Sequence, residues 1–277
     1  MGVSIPLLTD EHAWEGVWIA VSAFNEAATI RTLTEKVLVI CPRVIVVDDA
    51  STDLTIEQLQ GLGVTLLQHK KNEGKAACLK TAFDYASTQG ARCVMTMDGD
   101  GQHDPADAPK LLAVWLSQPN HIVIGARLHD RSQFPKLRYY ANRTACFWIS
   151  WAAGHPIADS QSGFRVYPSE VVKMVREGRV KGQRFTFESE VLIEASNRGI
   201  LTAAVAIPAT YPLNARPSHF RPVVDIAKIV LMVAGKLICK GMFPMGLLRC
   251  LKPVHVLSEH DVPRSNHSCH KKHRSIL

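Results

Sequence analysis

The stretch Met97-Asp98-Gly99-Asp100-Gly101-Gln102-His103-Asp104-Pro105 sets two carboxylates at alternate positions after an apolar run and closes on a proline suited to a helix start. Asp98 and Asp100 can reach one divalent cation from such a strand end, with Gln102 as a neutral oxygen ligand, and the glycines leave room for a diphosphate. An all-oxygen set shared with substrate phosphates suits a hard ion, Mg²⁺ or Mn²⁺. Alone, an Asp-x-Asp is more often an acidic turn capping the next helix, and a calcium loop is disfavoured because its pattern ending in Glu is not completed.

A second acidic end shifts that balance. Val44-Ile45-Val46-Val47-Asp48-Asp49-Ala50-Ser51-Thr52-Asp53 is another apolar run closing on carboxylates, and ligands gather at the carboxyl ends of parallel strands. Asp48 or Asp49 can accept hydrogen bonds from a base or ribose, whereas Asp53 is more simply the cap of the next helix. Ser22-Ala23-Phe24-Asn25-Glu26 supplies a third polar end, although Asn25 is equally a helix cap.

The elements that must position these residues follow from hydrophobic periodicity. Short apolar or β-branched runs at 17–22, 44–47, 64–67, 93–97 and 122–125 alternate with helix-like stretches at 27–38, 54–59, 75–87 and 105–117, the pattern of strands joined by crossover helices. The fold class is therefore α/β, a Rossmann-like, mostly parallel sheet flanked by helices. Beyond Gly125 come a basic loop from Arg127 to Arg138, an aromatic-rich helix to Ala153, and shorter elements out to Tyr211. From Val223 to Leu251 the chain is apolar but broken by Lys228, Lys236, Lys240, Pro244 and Arg249, which predicts an amphipathic helix rather than a membrane span. The expected organisation is a catalytic domain over 1–222, an amphipathic, membrane-associated segment over 223–253, and a basic, disordered tail over 254–277.

Four segments in order resemble family 2 glycosyltransferases of the GT-A fold: Ala-Phe-Asn-Glu at 23–26, Val-Asp-Asp-Ala-Ser-Thr-Asp at 47–53, Asn-Glu-Gly-Lys-Ala-Ala at 72–77 and Asp-Gly-Asp-Gly-Gln-His at 98–103. Within that family Asp159-Ser160-Gln161-Ser162-Gly163-Phe164-Arg165 is similar to the Asp-x-x-Ser-Gly-Phe-Arg signature of polyprenyl-phosphate sugar synthases of the dolichyl-phosphate mannose synthase type. The resemblance spans about 17–220. It implies that Phe24, Glu26, Asp48 and Asp49 line a nucleotide pocket, that Asp98, Asp100 and Gln102 hold the metal on the diphosphate, and that Lys75 sits near the donor. Arg216-Pro217-Ser218-His219-Phe220 resembles the family's closing segment over the donor phosphates, with Ser218 and His219 as donor contacts and His219 where lysine is usual. Ser22 replaces a common proline and Ala76 a glycine, and neither change removes a functional group. The C-terminal transmembrane pair of many polyprenyl-phosphate enzymes has no counterpart here, which weakens the case for that acceptor.

The implied reaction is an inverting, in-line transfer from a nucleotide-diphosphate sugar to a polyprenyl phosphate or related lipid. A phosphate acceptor arrives ionised and needs cations rather than a base. Arg127 and Arg165 are the leading cations, with Arg131, Arg138 and Arg143 behind them. A hydroxyl acceptor on a glycan or glycolipid would instead need Asp159 as base, though Asp159 can equally anchor its own turn. Glu188 and Glu190 are read as loop-orienting or capping residues. A sugar nucleotidyltransferase would require a glycine-rich, basic loop after the first strand, which Ser-Ala-Phe-Asn-Glu is not. A non-catalytic nucleotide-sugar-binding protein is the remaining alternative.

Composition sets the outer limits. The 277 residues, 47% of them hydrophobic, suit one large α/β domain, and the net charge of +7 suits an anionic partner. Nucleic-acid binding would rest on charge alone and is not expected. Seven scattered cysteines, none in Cys-x-x-Cys spacing, read as free thiols in a reducing compartment. The first residues carry acids where a signal peptide needs a basic and then an apolar run, and Pro6 spoils a myristoylation motif. A cytoplasmic enzyme, peripheral on the cytoplasmic face of the inner membrane, is the expected setting.

Overall fold

The computed structural model describes residues 11–127, 136–182, 185–208, 222–254 and 256–257. After a 3-10 turn at Glu11–Trp14, the first half alternates β1 (Val17–Ala23), α1 (Ile30–Ile40), β2 (Val44–Asp48), α2 (Thr55–Gln58), β3 (Thr65–Gln68), α3 (Lys75–Thr88), β4 (Cys93–Asp98), α4 (Ala108–Ser117) and β5 (Ile122–Arg127). The second half carries α5 (Lys136–Ala153), β6 (Arg165–Pro168), α6 (Ser169–Arg176), α7 (Phe185–Ser196), β7 (Thr202–Ile207), α8 (Pro222–Cys239), α9 (Pro244–Cys250) and the short β8 (Val256–Leu257). Among the described residues the strands form one sheet in the order β3-β2-β1-β4-β6-β5-β7-β8. Every pairing is parallel except those of β6, which runs antiparallel to both β4 and β5.

Alternation along the strands explains why both faces must be covered. Ile19, Val21, Val44, Val46, Met95 and Met97 point to one face, where α1 and α4 pack through Ile30, Leu33, Val37, Leu111 and Trp115. Ala20, Ile45, Val47 and Val94 point to the other, where Leu79 and Phe83 of α3, Ile149 of α5, Val191 of α7 and Ile229, Val233 and Leu237 of α8 close the layer. Strands buried on both faces read as continuous apolar runs, as these do. The segment at 223–253 thus sends one face of α8 into the same core as the rest of the chain. Of the tail at 254–277, only Val254, Val256 and Leu257 lie among the described residues. No described helix is long and apolar enough to cross a membrane.

The first helix begins at Ile30 rather than near residue 27, and the reason is local. Asn25 takes a left-handed φ of 58°, its N–H donates to Ser51 Oγ, and its side-chain oxygen accepts from the Thr52 N–H. Glu26 N–H donates to Thr55 Oγ1 and Ala27 N–H to an Asp53 oxygen. The loop after β1 is therefore laced to the loop after β2, and residues 25–29 serve the sheet edge before the helix starts.

Candidate functional site

Parallel strands β1, β2, β4 and β5 all end at one edge, and the reversed β6 begins there. That reversal carries the turn 159–164 to the tip of β4: Thr96 Oγ1 donates to the Gly163 carbonyl at 2.8 Å, and Gly125 N–H to the Phe164 carbonyl at 2.9 Å. Gly163 lies against Asp98 and Lys75 so closely that a Cβ would overlap both side chains. The glycine of the Ser-Gly-Phe-Arg turn is thus required by close approach.

Lys75 is the hub of the edge. Its Nζ is 2.7 Å from Asp98 Oδ1 and 2.9 Å from Oδ2, and 3.4 Å from Glu188 Oε1, a contact within ion-pair reach but without hydrogen-bond geometry. A cation in the first turn of a helix is disfavoured by the helix dipole, so these two carboxylates must hold it. Aim is set one residue earlier, where Gly74 adopts φ 88° and its N–H, with that of Glu73, donates to the two oxygens of Asp49 at 2.7 and 2.9 Å. Burial pushes the Lys75 pKa down, but Asp98 and Glu188 outweigh it and hold the ammonium above the ordinary lysine range. For Asp98, burial pushes up while Lys75, and more weakly Arg127, pull the carboxyl below its usual value.

Asp100, beside it, goes the other way. Burial and the Asp98 charge raise it to about 6, although its Oδ1 accepts the Gln102 N–H at 3.0 Å. His103 is buried with no partner for Nδ1 among the described residues, and burial drives its pKa down to about 4. It is a neutral imidazole against Phe164, with ring centroids 5.4 Å apart. Two carboxylates that raise one another's cost of ionisation, with a neutral amide nearby, are an oxygen donor set that a hard divalent cation would relieve, so Asp98, Asp100 and Gln102 fit such an ion.

Arg127, at the end of β5, closes the opposite side. Its Nε and Nη2 donate to Asp159 Oδ2 and Oδ1 at 2.9 and 3.3 Å, and its backbone N–H approaches Oδ2 at 3.4 Å. Asp159 Oδ1 also accepts the Gln161 N–H at 3.1 Å. Both side chains are almost fully buried. Arg165, the other arginine expected to meet the acceptor, is completely buried instead: it donates to the carbonyls of Ser160, Ser162 and Glu188 and to the Tyr167 hydroxyl. Those bonds pin the 160–164 turn from behind.

On the donor side, Asp48 is buried, with Oδ2 accepting the Ser51 N–H at 3.1 Å and Oδ1 lacking a partner among the described residues. Phe24 and Glu26 are half-buried in the adjacent loop. Asp49 faces the 73–74 turn and His69, whose Nδ1 is 2.7 Å away and whose Nε2 meets Thr81 Oγ1 at 2.9 Å. Cys78 lies near enough to complete a three-residue ligand group with Asp49 and His69, but the imidazole and carboxylate there already satisfy each other. Ser218, His219 and Arg131 lie outside the described residues, as does the side chain of Arg138, and Arg143 is exposed on α5. The contributions of His103 and Glu188 were not anticipated. His103 sits inside the Asp-Gly-Asp motif, but its burial has no local signal, and Glu188 arrives on α7 from far along the chain.

Residues 18–173 match the family described as glycosyl transferase family 2. The chain is 31% identical over 199 residues to an uncharacterised protein of Methanocaldococcus jannaschii, covering 70% of this chain and 82% of that one. It is 25% identical over 216 residues to a UDP-N-acetylglucosamine–dolichyl-phosphate N-acetylglucosaminyltransferase of Methanococcus voltae, covering 70% and 86% of the two chains. To a polyprenol monophosphomannose synthase of Mycolicibacterium smegmatis it is 25% identical over 204 residues, covering 70% and 76%. Glucosyl-3-phosphoglycerate synthase from Mycobacterium tuberculosis, crystallised with Mn²⁺, UDP and phosphoglyceric acid, superposes with a TM-score of 0.61 at 19% identity over 91% of this chain and 85% of that one. The fold is GT-A, and the chain belongs to glycosyl transferase family 2.

Proposed function

We propose that this protein transfers a sugar, with inversion, from a nucleoside-diphosphate sugar to a polyprenyl phosphate or closely related lipid phosphate. The observation that carries the acceptor class is the Arg127–Asp159 fork. A carboxylate clamped by a guanidinium and a backbone N–H has its charge balanced and its lone pairs engaged, which makes it a poor base for a hydroxyl. A phosphate monoester needs no deprotonation, only cations that hold its oxygen in line. Arg127, held by Asp159 at the end of β5, is the cation that this reading assigns to that phosphate.

On the donor side the unpartnered, buried Asp48 oxygen calls for an N–H or O–H from the nucleoside, since buried acceptors without partners are costly. Asp98, Asp100 and Gln102 would hold a divalent cation, Mg²⁺ or Mn²⁺, which when bound supplies Lewis-acid stabilisation of the diphosphate leaving group. Lys75 adds a positive charge beside them. The polyprenyl-phosphate and dolichyl-phosphate enzymes among the relatives act on this acceptor class by name. The working location that fits is peripheral, on the cytoplasmic face of a membrane, where lipid phosphate and nucleotide sugar meet.

Labelled nucleotide sugars incubated with polyprenyl phosphate and Mn²⁺ should give an organic-extractable product that chelation abolishes. Transfer to glycan or glycolipid hydroxyls in place of lipid phosphate, across the same donor panel, would overturn the acceptor assignment.

A further inference from the structure

The outer face of α8, the turn after it and α9 is apolar, exposed and cationic. Leu231 and Ile238, seven residues apart on α8, are 72% and 69% exposed, and Leu248 and Leu251 on and after α9 are 65% and 64% exposed. Met242 and Met245 lie between them, also exposed. The opposite face of α8 is buried through Ile229, Val233 and Leu237, so the helix is amphipathic about the domain surface. Lys228, Arg249 and Lys252 are exposed on the same segment, and no Asp or Glu occurs between Ile226 and Ser258.

This face is held rigidly. Phe243 wedges against Gly154 and Gly246, where any side chain would collide with its ring. Trp151 Nε1 of α5 donates to the Met242 carbonyl at 3.1 Å, and Lys240 Nζ donates to the Ala152 carbonyl at 2.9 Å. Beside α9, Trp148 and Trp151 stack with centroids 5.4 Å apart, and Phe147 is exposed at the edge of the pair. Aromatic rings flanked by aliphatic side chains and cations are the composition that settles at a lipid–water boundary.

We propose that this face, from Leu231 through Leu251, docks the protein on an anionic phospholipid bilayer. A second copy is the poorer occupant, because self-pairing sets Lys228, Arg249 and Lys252 against their own kind with no acid on the segment to answer them. Anionic headgroups do answer them, and the acyl boundary takes the leucines and methionines. The proposal extends the lipid-acceptor reading by naming how the enzyme meets its membrane, and its test needs no turnover.

The full chain is floated with phosphatidylcholine vesicles with and without phosphatidylglycerol. It should bind the anionic vesicles. Arg249→Gln with Lys252→Gln should weaken that binding about thirtyfold, at roughly 1 kcal/mol for each cation near the surface. Leu248→Glu with Leu251→Glu should abolish it, while circular dichroism, thermal midpoint and transfer to a short-chain, water-soluble polyprenyl phosphate stay at wild-type levels. Equal flotation of all variants, no flotation of the wild type, or a dimer in sedimentation velocity that Leu248→Glu dissociates would each overturn the proposal. Flotation without any lipid-phosphate product would sink the acceptor reading alone, and transfer without flotation would sink this one alone.

Discussion

Lys75 Nζ covers both oxygens of Asp98, at 2.7 and 2.9 Å, with Glu188 Oε1 at 3.4 Å on its other side. One ammonium therefore neutralises Asp98, and under the proposed reading a divalent cation at Asp98 would compete with it, leaving Glu188 as its second anchor. Lys75→Met should tighten Mn²⁺ binding several-fold while cutting sugar transfer by about a hundredfold, a size usual for a group that stabilises a leaving anion. Glu188→Gln should weaken Mn²⁺ binding, because Lys75 then has only Asp98 to hold. Calorimetric Mn²⁺ titration of both variants checks the opposed signs. Shifts in the same direction would mean that the triad is merely structural.

Asp100 would give the proposed cation site a pH dependence. Its folded pKa is raised to about 6 from 3.8, so the folded chain keeps a proton there that the unfolded chain has lost. Any stability from that proton is present at low pH and disappears as pH rises through about 6. A cation needs the ionised form and must displace the proton below that point. Mn²⁺ affinity should therefore be flat above pH 6 and fall about tenfold per unit below it. Asp100→Asn should be weaker throughout and lose the slope, as electron paramagnetic resonance titrations of free Mn²⁺ would report.

The Arg127–Asp159 pair is buried, so breaking one side leaves an uncompensated charge. Asp159→Asn should cost about 3–5 kcal/mol of stability and Arg127→Met a similar amount. The double variant should be more stable than either single change would suggest. Denaturant unfolding of the four proteins reads this coupling. At saturating acceptor phosphate, Asp159→Asn should keep kcat within about tenfold of wild type, since general-base loss would cost more.

Gly163 is the position where a single methyl group should disable the site. A Cβ there overlaps Asp98 and Lys75, and forcing both aside costs about 1–3 kcal/mol. Gly163→Ala should fold, with a lower thermal midpoint, and bind Mn²⁺ at least tenfold more weakly. Unchanged cation affinity would show that the turn does not set the Asp98 position.

Much of the first half was legible from residues alone. The runs at 44–47 and 93–97 are β2 and β4 almost to the residue, because strands buried on both faces must be apolar throughout and polar residues mark their ends. The position of Asp98 at the end of β4, with Asp100 just beyond it, is legible for the same reason: the change from apolar to acidic is local and coincides with the sheet edge. The start of α1 was misplaced because its loop is bonded to residues 51–55, a partnership no local pattern encodes.

What tertiary structure decided is where identical side chains point. Arg127 and Arg165 are chemically alike in the sequence, yet one faces the edge in a fork with Asp159 and the other is sealed behind the turn. Asp48 and Asp49 are neighbours at the end of β2, yet they meet different partners: Asp49 fixes the Gly74 backbone and so aims Lys75, while Asp48 keeps an unpartnered oxygen. The antiparallel entry of β6 brings Gly163 to Asp98, and α7 brings Glu188 to Lys75. Periodicity follows from the backbone of each element and so is written locally, whereas these meetings depend on strand order and helix packing, which emerge only once both faces of the sheet are covered.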